Sequence, residues 1–133
     1  MQTIVLVGGA GTGLRVITGS KPKTLLKIMG KTIIEHVLDN LVKLGIKSTI
    51  LVSDRPKLYE DITLKYGRLM EIDIIKQEEP EIRGAILAAK DYVKDHFLLI
   101  YGDVLTPPDA YRIAIDSYKV HNKPSIVAIP EED

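Results

Sequence analysis

Leu6-Val7-Gly8-Gly9-Ala10-Gly11-Thr12-Gly13-Leu14-Arg15, running on to Lys21-Pro22-Lys23, decides how the rest of the chain is read. It continues the apolar run Thr3-Ile4-Val5-Leu6-Val7, whose β-branched residues predict a buried strand. Four glycines in the six positions from 8 to 13 remove the Cβ atoms that hold a backbone away from a ligand, and they permit positive φ. A loop of that composition turns several N–H groups toward one anion. No acidic residue precedes Glu35, whereas Arg15, Lys21 and Lys23 follow the glycines closely. The stretch is locally cationic, and a phosphate-bearing ligand is its expected guest.

Spacing excludes two familiar phosphate loops. A P-loop places Lys-Ser/Thr after its last glycine, and here Gly13 is followed by Leu14-Arg15. The dinucleotide fingerprint needs a further glycine three places after Gly11, where Leu14 stands.

The 133 residues predict a single domain over 1–133, long enough to bury roughly two thirds of its unfolded surface. Hydrophobic residues at 45% and charged residues at 27% are the proportions of a globular protein and exclude disorder. Lys plus Arg and Asp plus Glu both number 18, so no global field draws nucleic acid or an acidic membrane. The absence of cysteine excludes disulfides and thiolate metal sites. No apolar run approaches the ~18 residues of a membrane span, and no basic leader precedes the first strand, so a cytoplasmic protein is expected. His36, His96 and His121 lack ligand spacing, and no Ser, His and acid combination suggests a nucleophilic hydrolase.

After the loop, Thr32-Ile33-Ile34-Glu35 has the spacing of a capping box. Ile33, Ile34, Val37, Leu38, Leu41 and Val42 then recur on one helical face, with Gly45 as the stop. Residues 48–53 predict a second strand, parallel to the first through a right-handed crossover. Asp54-Arg55-Pro56 marks a turn, and 57–66 predicts a helix with Leu58, Ile62 and Leu69 facing inward. Residues 72–76 predict a short strand at or near an edge, followed by a loop from Gln77 and a helix over 82–94 carrying Ile86, Leu87, Ala89 and Val93. The continuous apolar run 97–101 predicts a central strand ending in Gly102-Asp103. Asp103 therefore stands at the carboxyl end of a buried strand, the edge where open α/β sheets bind ligands. Thr106-Pro107-Pro108-Asp109 opens a fourth helix with Tyr111, Ile115 and Tyr118 in the core, and 125–129 predicts a fifth strand. This alternation predicts a three-layer αβα fold with a mostly parallel, Rossmann-like sheet.

Gly9-Ala10-Gly11-Thr12-Gly13-Leu14, Pro22-Lys23, Leu25, Gly30-Lys31 and the later Gly102-Asp103 together resemble the nucleotide-sugar pyrophosphorylases, the sugar-phosphate nucleotidyltransferases of the nucleotide-diphospho-sugar transferase superfamily. The resemblance covers nearly the whole chain and corresponds to the N-terminal, nucleotide-binding half of a longer fold, so the expected architecture is a truncated one. It implies transfer of a nucleoside monophosphate from a nucleoside triphosphate to a sugar-1-phosphate, with release of pyrophosphate. It further implies nucleotide contacts from Leu6, Gly8, Gly9, Gly11, Thr12 and Gly13, catalytic phosphate-neutralising roles for Lys23 and Arg15, and an Mg2+ ion on Asp103. Gln77 is either an amide that reads a base edge by donating and accepting, or a polar residue at a strand end. Two positions depart from the family pattern. Gly13 stands where an arginine follows the threonine, and Glu81-Ile82 stand about where a Gly-Thr pair lies against the base. The alternative reading is accordingly a catalytically impaired nucleotide-binding or regulatory subunit module. A truncated sheet also leaves an open edge that a homo-oligomer would cover.

Overall fold

Residues 3–6 are apolar or β-branched on both alternating sets, which suits a strand covered on both faces. In the computed structural model they lie in β1, Gln2–Leu6. The structure describes residues 2–7, 22–78, 81–92, 97–102 and 108–121. The glycine loop 8–13, Arg15, Lys21, Val93, Asp103, Thr106 and the fifth strand expected at 125–129 lie outside the described residues.

A short antiparallel hairpin, β2 (Lys27–Ile28) and β3 (Lys31–Thr32), is closed by Met29 and Gly30 at φ 54° and 82°. Two positive φ angles in a two-residue loop match the type I′ turn that suits strand twist. It leads into α1, Ile33–Lys43, where the expected capping box is complete. Thr32 Oγ1 accepts the Glu35 N–H at 3.2 Å, and Glu35 Oε1 accepts the Thr32 N–H at 3.2 Å. Gly45 ends the helix at φ 81°, its N–H bonded to the Val42 carbonyl at 3.0 Å. Strand β4, Ser48–Ser53, then runs parallel to β1 with Val5 opposite Leu51.

The next helix corrects the sequence reading. Its entry is a 3-10 turn, Pro56–Tyr59, before α2, Glu60–Tyr66. Leu58 is 43% exposed and Leu69 61%, whereas Tyr59, Ile62, Tyr66 and Met70 are buried. A 3-10 turn advances about 120° per residue, not 100°, so the inward face shifts by one position. The tyrosines then bury large rings while their hydroxyls find partners.

Strand β5, Glu71–Lys76, pairs with β4 and, among the described residues, lies at the edge as expected. Helix α3, Glu81–Ala89, is shorter than expected and tightens into a 3-10 turn at Lys90–Tyr92. It meets the sheet through Ala89, which is buried, while Ile86 and Leu87 are 39% and 40% exposed. Strand β6, Phe97–Tyr101, pairs in parallel with β1, and among the described residues it ends the order β5-β4-β1-β6. Helix α4, Pro108–His121, follows, and its Tyr111 and Ile115 join the core as expected.

Val5, Leu51 and Ile100 lie on one sheet face with Ile34, Val37, Leu38 and Leu41 of α1, with Ile62 and Tyr66 of α2, and with Tyr111. The opposite face packs Ile4, Ile50 and Val52 against Ala89 of α3. Helices thus cover both faces of the parallel sheet, a three-layer Rossmann-like arrangement.

Thr3 and Thr49 face each other across β1 and β4. They are 0% and 1% exposed, and neither hydroxyl has a hydrogen-bond partner among the described residues. Thr49→Val, which keeps the shape and deletes a buried hydroxyl, is expected to stabilise the protein by about 1 kcal/mol, a rise of about 3 °C in Tm by calorimetry. A lower Tm would show that the hydroxyl is satisfied in solution.

A polar network joins α1 to α2. Lys31 Nζ pairs with Asp39 Oδ2 at 2.7 Å, Tyr66 donates its hydroxyl to Asp39 Oδ1 at 2.7 Å, and Lys65 Nζ pairs with Glu35 Oε2 at 2.7 Å. Burial by itself pushes both carboxyls up. On Glu35 the hydrogen bonds from Lys65 and Thr32 outweigh it, and on Asp39 those from Lys31 and Tyr66 do, so both sit below their ordinary values. Carboxyls depressed on folding contribute stability that is full above their unfolded pKa of about 4 and is lost as pH falls through the folded value. The urea midpoint is therefore expected to fall on acidification below about pH 4, with a shallower fall in Asp39→Asn. An equally steep fall in that variant would place the acid sensitivity elsewhere.

Candidate functional site

All four strands of the main sheet are parallel, so their carboxyl ends share one edge. From β1 the chain moves outward to β4 and β5, then returns to place β6 on the other side of β1. The strand order reverses between β1 and β6. At such a switch point the loops diverge and leave a crevice for a ligand. The glycine loop leaves β1 here, and Gly102, the residue before Asp103, follows the end of β6 here.

Gly102 is drawn against the end of β1. Its N–H donates to the Leu6 carbonyl at 2.9 Å. A Cβ at position 102 would lie 2.8 Å from Val7 Cγ1, 3.0 Å from the Leu6 carbonyl oxygen and 3.1 Å from Val5 Cγ1. Any side chain at 102 would force Val7 or the end of β1 to shift. Leu6 is half-buried, paired with Val52 and Tyr101 at the last rung of the sheet, and packs on the α3 side.

Lys23 is exposed and opens a 3-10 turn, Lys23–Leu25, after Pro22. The turn closes through Leu25 N–H to Pro22 O and Leu26 N–H to Lys23 O, both at 3.0 Å. Thr24 and Leu25 are buried beneath it, so the neighbours anchor the backbone and leave the Lys23 ammonium in solvent. Tyr59 donates its hydroxyl to the Val7 carbonyl at 2.9 Å, and Thr24 Oγ1 lies 2.6 Å from the same phenol oxygen. Burial pushes the Tyr59 phenol above its ordinary pKa, which keeps the donor proton in place at neutral pH.

At the carboxyl end of β4, Ser53 Oγ accepts the Arg55 N–H at 2.9 Å, and the Ser53 carbonyl accepts the Gln77 N–H at 2.8 Å. Arg55 Nε lies 4.0 Å from Asp54 Oδ1. Gln77 is half-buried and follows β5, two strands and about 10 Å across the sheet from β1. The structure thus gathers Leu6, the Lys23 turn and Gly102 at one end of β1 and sets Gln77 at the far side of the same edge. Tyr59 and Thr24 escaped the sequence reading. The recurrence Tyr59, Ile62, Tyr66, Met70 was the signal for the inward tyrosines, and nothing local marks Thr24.

Among the described residues no group of three or more His, Asp or Glu side chains is placed to hold a metal ion, and no helix is long and apolar enough to cross a membrane. A family model for nucleotidyl transferases matches residues 2–133. The chain belongs to the nucleotidyl transferase family. The chain is 29% identical over 141 residues to the bifunctional protein GlmU of Methanocaldococcus jannaschii, covering 100% of this chain and 34% of that relative. It is 38% identical over 108 residues to a bifunctional sugar-1-phosphate nucleotidylyltransferase/acetyltransferase of Sulfurisphaera tokodaii, covering 78% of this chain and 25% of that one. The solved inositol-1-phosphate CTP transferase from T. maritima superposes with a TM-score of 0.71 at 28% identity, over 84% of this chain and 46% of that chain. The chain therefore spans about a quarter to a third of these curated relatives' length.

Proposed function

We propose that the crevice between the carboxyl ends of β1 and β6 binds a nucleoside triphosphate as its Mg2+ complex and serves nucleotidyl transfer to a sugar-1-phosphate. One observation carries the reading. The glycine-rich stretch leaves β1 at the switch point of a parallel sheet, and the Gly102 that precedes Asp103 is hydrogen-bonded to the same strand end. The names of the Sulfurisphaera tokodaii relative and of the solved neighbour support it.

In the proposed reaction a phosphate oxygen of the sugar-1-phosphate attacks the α-phosphorus. The new P–O bond forms as the α–β phosphoanhydride breaks, and pyrophosphate leaves with the bond's electron pair. Such transfers depend on positioning and charge stabilisation. Backbone N–H groups of Gly8, Gly9, Gly11, Thr12 and Gly13 are assigned to the phosphates, with Leu6 beneath the nucleotide. Lys23 and Arg15 are assigned to offset negative charge, Gln77 to a base edge, and Asp103 to the Mg2+ that enters with the triphosphate, an ion that suits oxygen ligands. A cytoplasmic location and self-association through an uncovered sheet edge or apolar face belong to the same proposal.

Gly13, in place of the family arginine, favours a second reading in which the site binds nucleotide without turning it over. Both readings require triphosphate binding. Thermal unfolding with ATP, CTP, GTP, UTP and dTTP, each with and without Mg2+, tests that step. One nucleotide at a hundred times its dissociation constant is expected to stabilise the protein by about 2.7 kcal/mol, a shift of several degrees. The shift is expected to need Mg2+ and to disappear in Asp103→Ala. No shift with any of the five would end both readings.

A further inference from the structure

The segment 8–21 enters from Val7 and returns at Pro22-Lys23-Thr24. Its two flanks meet on one atom, the phenol oxygen of Tyr59, which stands 52 residues from Val7 and 35 from Thr24. The proton directions are fixed by chemistry. The Val7 carbonyl carries no hydrogen, so Tyr59 donates to it, and the Thr24 hydroxyl must then donate to Tyr59. The result is a two-bond chain, Thr24 Oγ1–H to Tyr59 Oη–H to Val7 O, at 2.6 and 2.9 Å. All of it lies in the interior, since Tyr59 is 0% and Thr24 3% exposed. Away from water each bond is stronger, and each polarises the next.

The ring needs no such chain to be buried. Tyr59 already packs in the main core cluster with Val7 and Leu25, so a phenylalanine would serve for packing alone. The hydroxyl adds direction. It binds the turn that carries Lys23 to the carboxyl end of β1 independently of the strand ladder. Among the described residues the backbone of that turn is otherwise held by its own 3-10 bonds and by the Leu26 carbonyl, which accepts the Ile33 N–H at 3.0 Å.

We propose that Tyr59 is a positioning residue for Lys23: through Thr24 its hydroxyl sets the Lys23 turn against the end of β1, and so fixes where the ammonium meets the phosphates of a bound triphosphate. This rests on the triphosphate reading above for the identity of the ligand, but the bridge itself stands on the hydrogen bonds. An ångström of slack in a charged group facing a phosphate is enough to cost affinity and rate.

The test has one readout without ligand and one with it. In the ligand-free protein, hydrogen exchange at the Leu25 and Leu26 amides is expected to quicken about tenfold in Tyr59→Phe and in Thr24→Val, the loss of one buried hydrogen bond, while the α1 amides from 37 to 41 keep their protection. Thr24→Ser, which keeps the hydroxyl, is expected to restore wild-type exchange. By calorimetric titration with Mg2+ and whichever of ATP, CTP, GTP, UTP or dTTP binds wild type most tightly, Tyr59→Phe is expected to bind about tenfold more weakly. Lys23→Ala is expected to cost less affinity in the Tyr59→Phe background than in wild type, because the two act through one another. Wild-type exchange at Leu25 and Leu26 in both variants, or Lys23→Ala and Tyr59→Phe effects that simply add, would overturn the positioning role. Equal quickening of every protected amide would also overturn it, since that is a loss of overall stability. A wild-type protein that binds none of the five nucleotides fails the triphosphate reading instead, and the exchange data then still decide the bridge.

Discussion

Gly102→Ala is expected to destabilise the protein by about 2–3 kcal/mol and to remove Mg2+-dependent nucleotide binding with it. The added Cβ would lie 2.8 Å from Val7 Cγ1, 3.0 Å from the Leu6 carbonyl oxygen and 3.1 Å from Val5 Cγ1. Rotating a valine relieves a methyl contact, but the carbonyl oxygen belongs to β1, which is hydrogen-bonded on both sides to β4 and β6. Val5 and Val7 are buried as well, so neither side chain has free space to enter. The strand end must therefore open. Opening it breaks the 2.9 Å bond from the Gly102 N–H to the Leu6 carbonyl and widens the crevice between the two loops assigned to the triphosphate. Urea unfolding and the nucleotide shift in Tm measure the two effects separately. A variant within about 0.5 kcal/mol of wild type, the range of ordinary surface changes, would show that the strand ends have slack and that Gly102 is not needed for close approach.

Local rules made most of this fold readable. The α1 boundaries follow from Thr32 and Glu35 at one end and Gly45 at the other, because caps satisfy backbone groups within four residues. Strands β4 and β5 follow from apolar runs between turn residues. The phase of α2 does not, because the apolar pattern points to Leu58, Ile62 and Leu69, whereas Tyr59, Ile62, Tyr66 and Met70 are buried. A tyrosine is buried when its hydroxyl finds a partner, and those partners, Val7, Thr24 and Asp39, are distant in sequence. The same limit hid the Lys23 support. Pro22-Lys23 is visible as a motif, but the atom that ties its turn to β1 comes from an element 35 residues later. On α3, the sequence points to Ile86, Leu87 and Ala89 alike, whereas the sheet admits the small side chain of Ala89 and leaves Ile86 and Leu87 exposed. The role of Gly102 was half legible: Gly102-Asp103 marked the site, and the reason for the glycine appeared only when β1 stood beside it.

Gly13→Arg is expected to raise the rate of pyrophosphate release by about a hundredfold, from a low or undetectable wild-type rate, in the presence of Mg2+, a nucleoside triphosphate and a sugar-1-phosphate. The resemblance to the nucleotide-sugar pyrophosphorylases implies an arginine at this place, next to the threonine, and a cation aimed at charge developing on transferring phosphates is worth about 3 kcal/mol in the transition state. The surroundings favour the substitution electrostatically. No acidic residue precedes Glu35, so nothing nearby in sequence competes for the new guanidinium, and Lys23 supplies only a point charge where arginine supplies a fork. Adding Lys23→Ala to Gly13→Arg is expected to reverse most of the gain, because both cations would serve the same departing group. The assay is continuous pyrophosphate detection across the five nucleotides and a set of sugar-1-phosphates. A gain confined to one pair would name the substrates, and a gain without change in triphosphate affinity would place the arginine's effect in the transition state. If the rate stays at the wild-type level while triphosphate still binds, the missing cation is not what limits the chemistry. The crevice held by Tyr59 and Gly102 is then a nucleotide-binding module, and turnover depends on residues outside the stretch that this chain shares with its longer relatives.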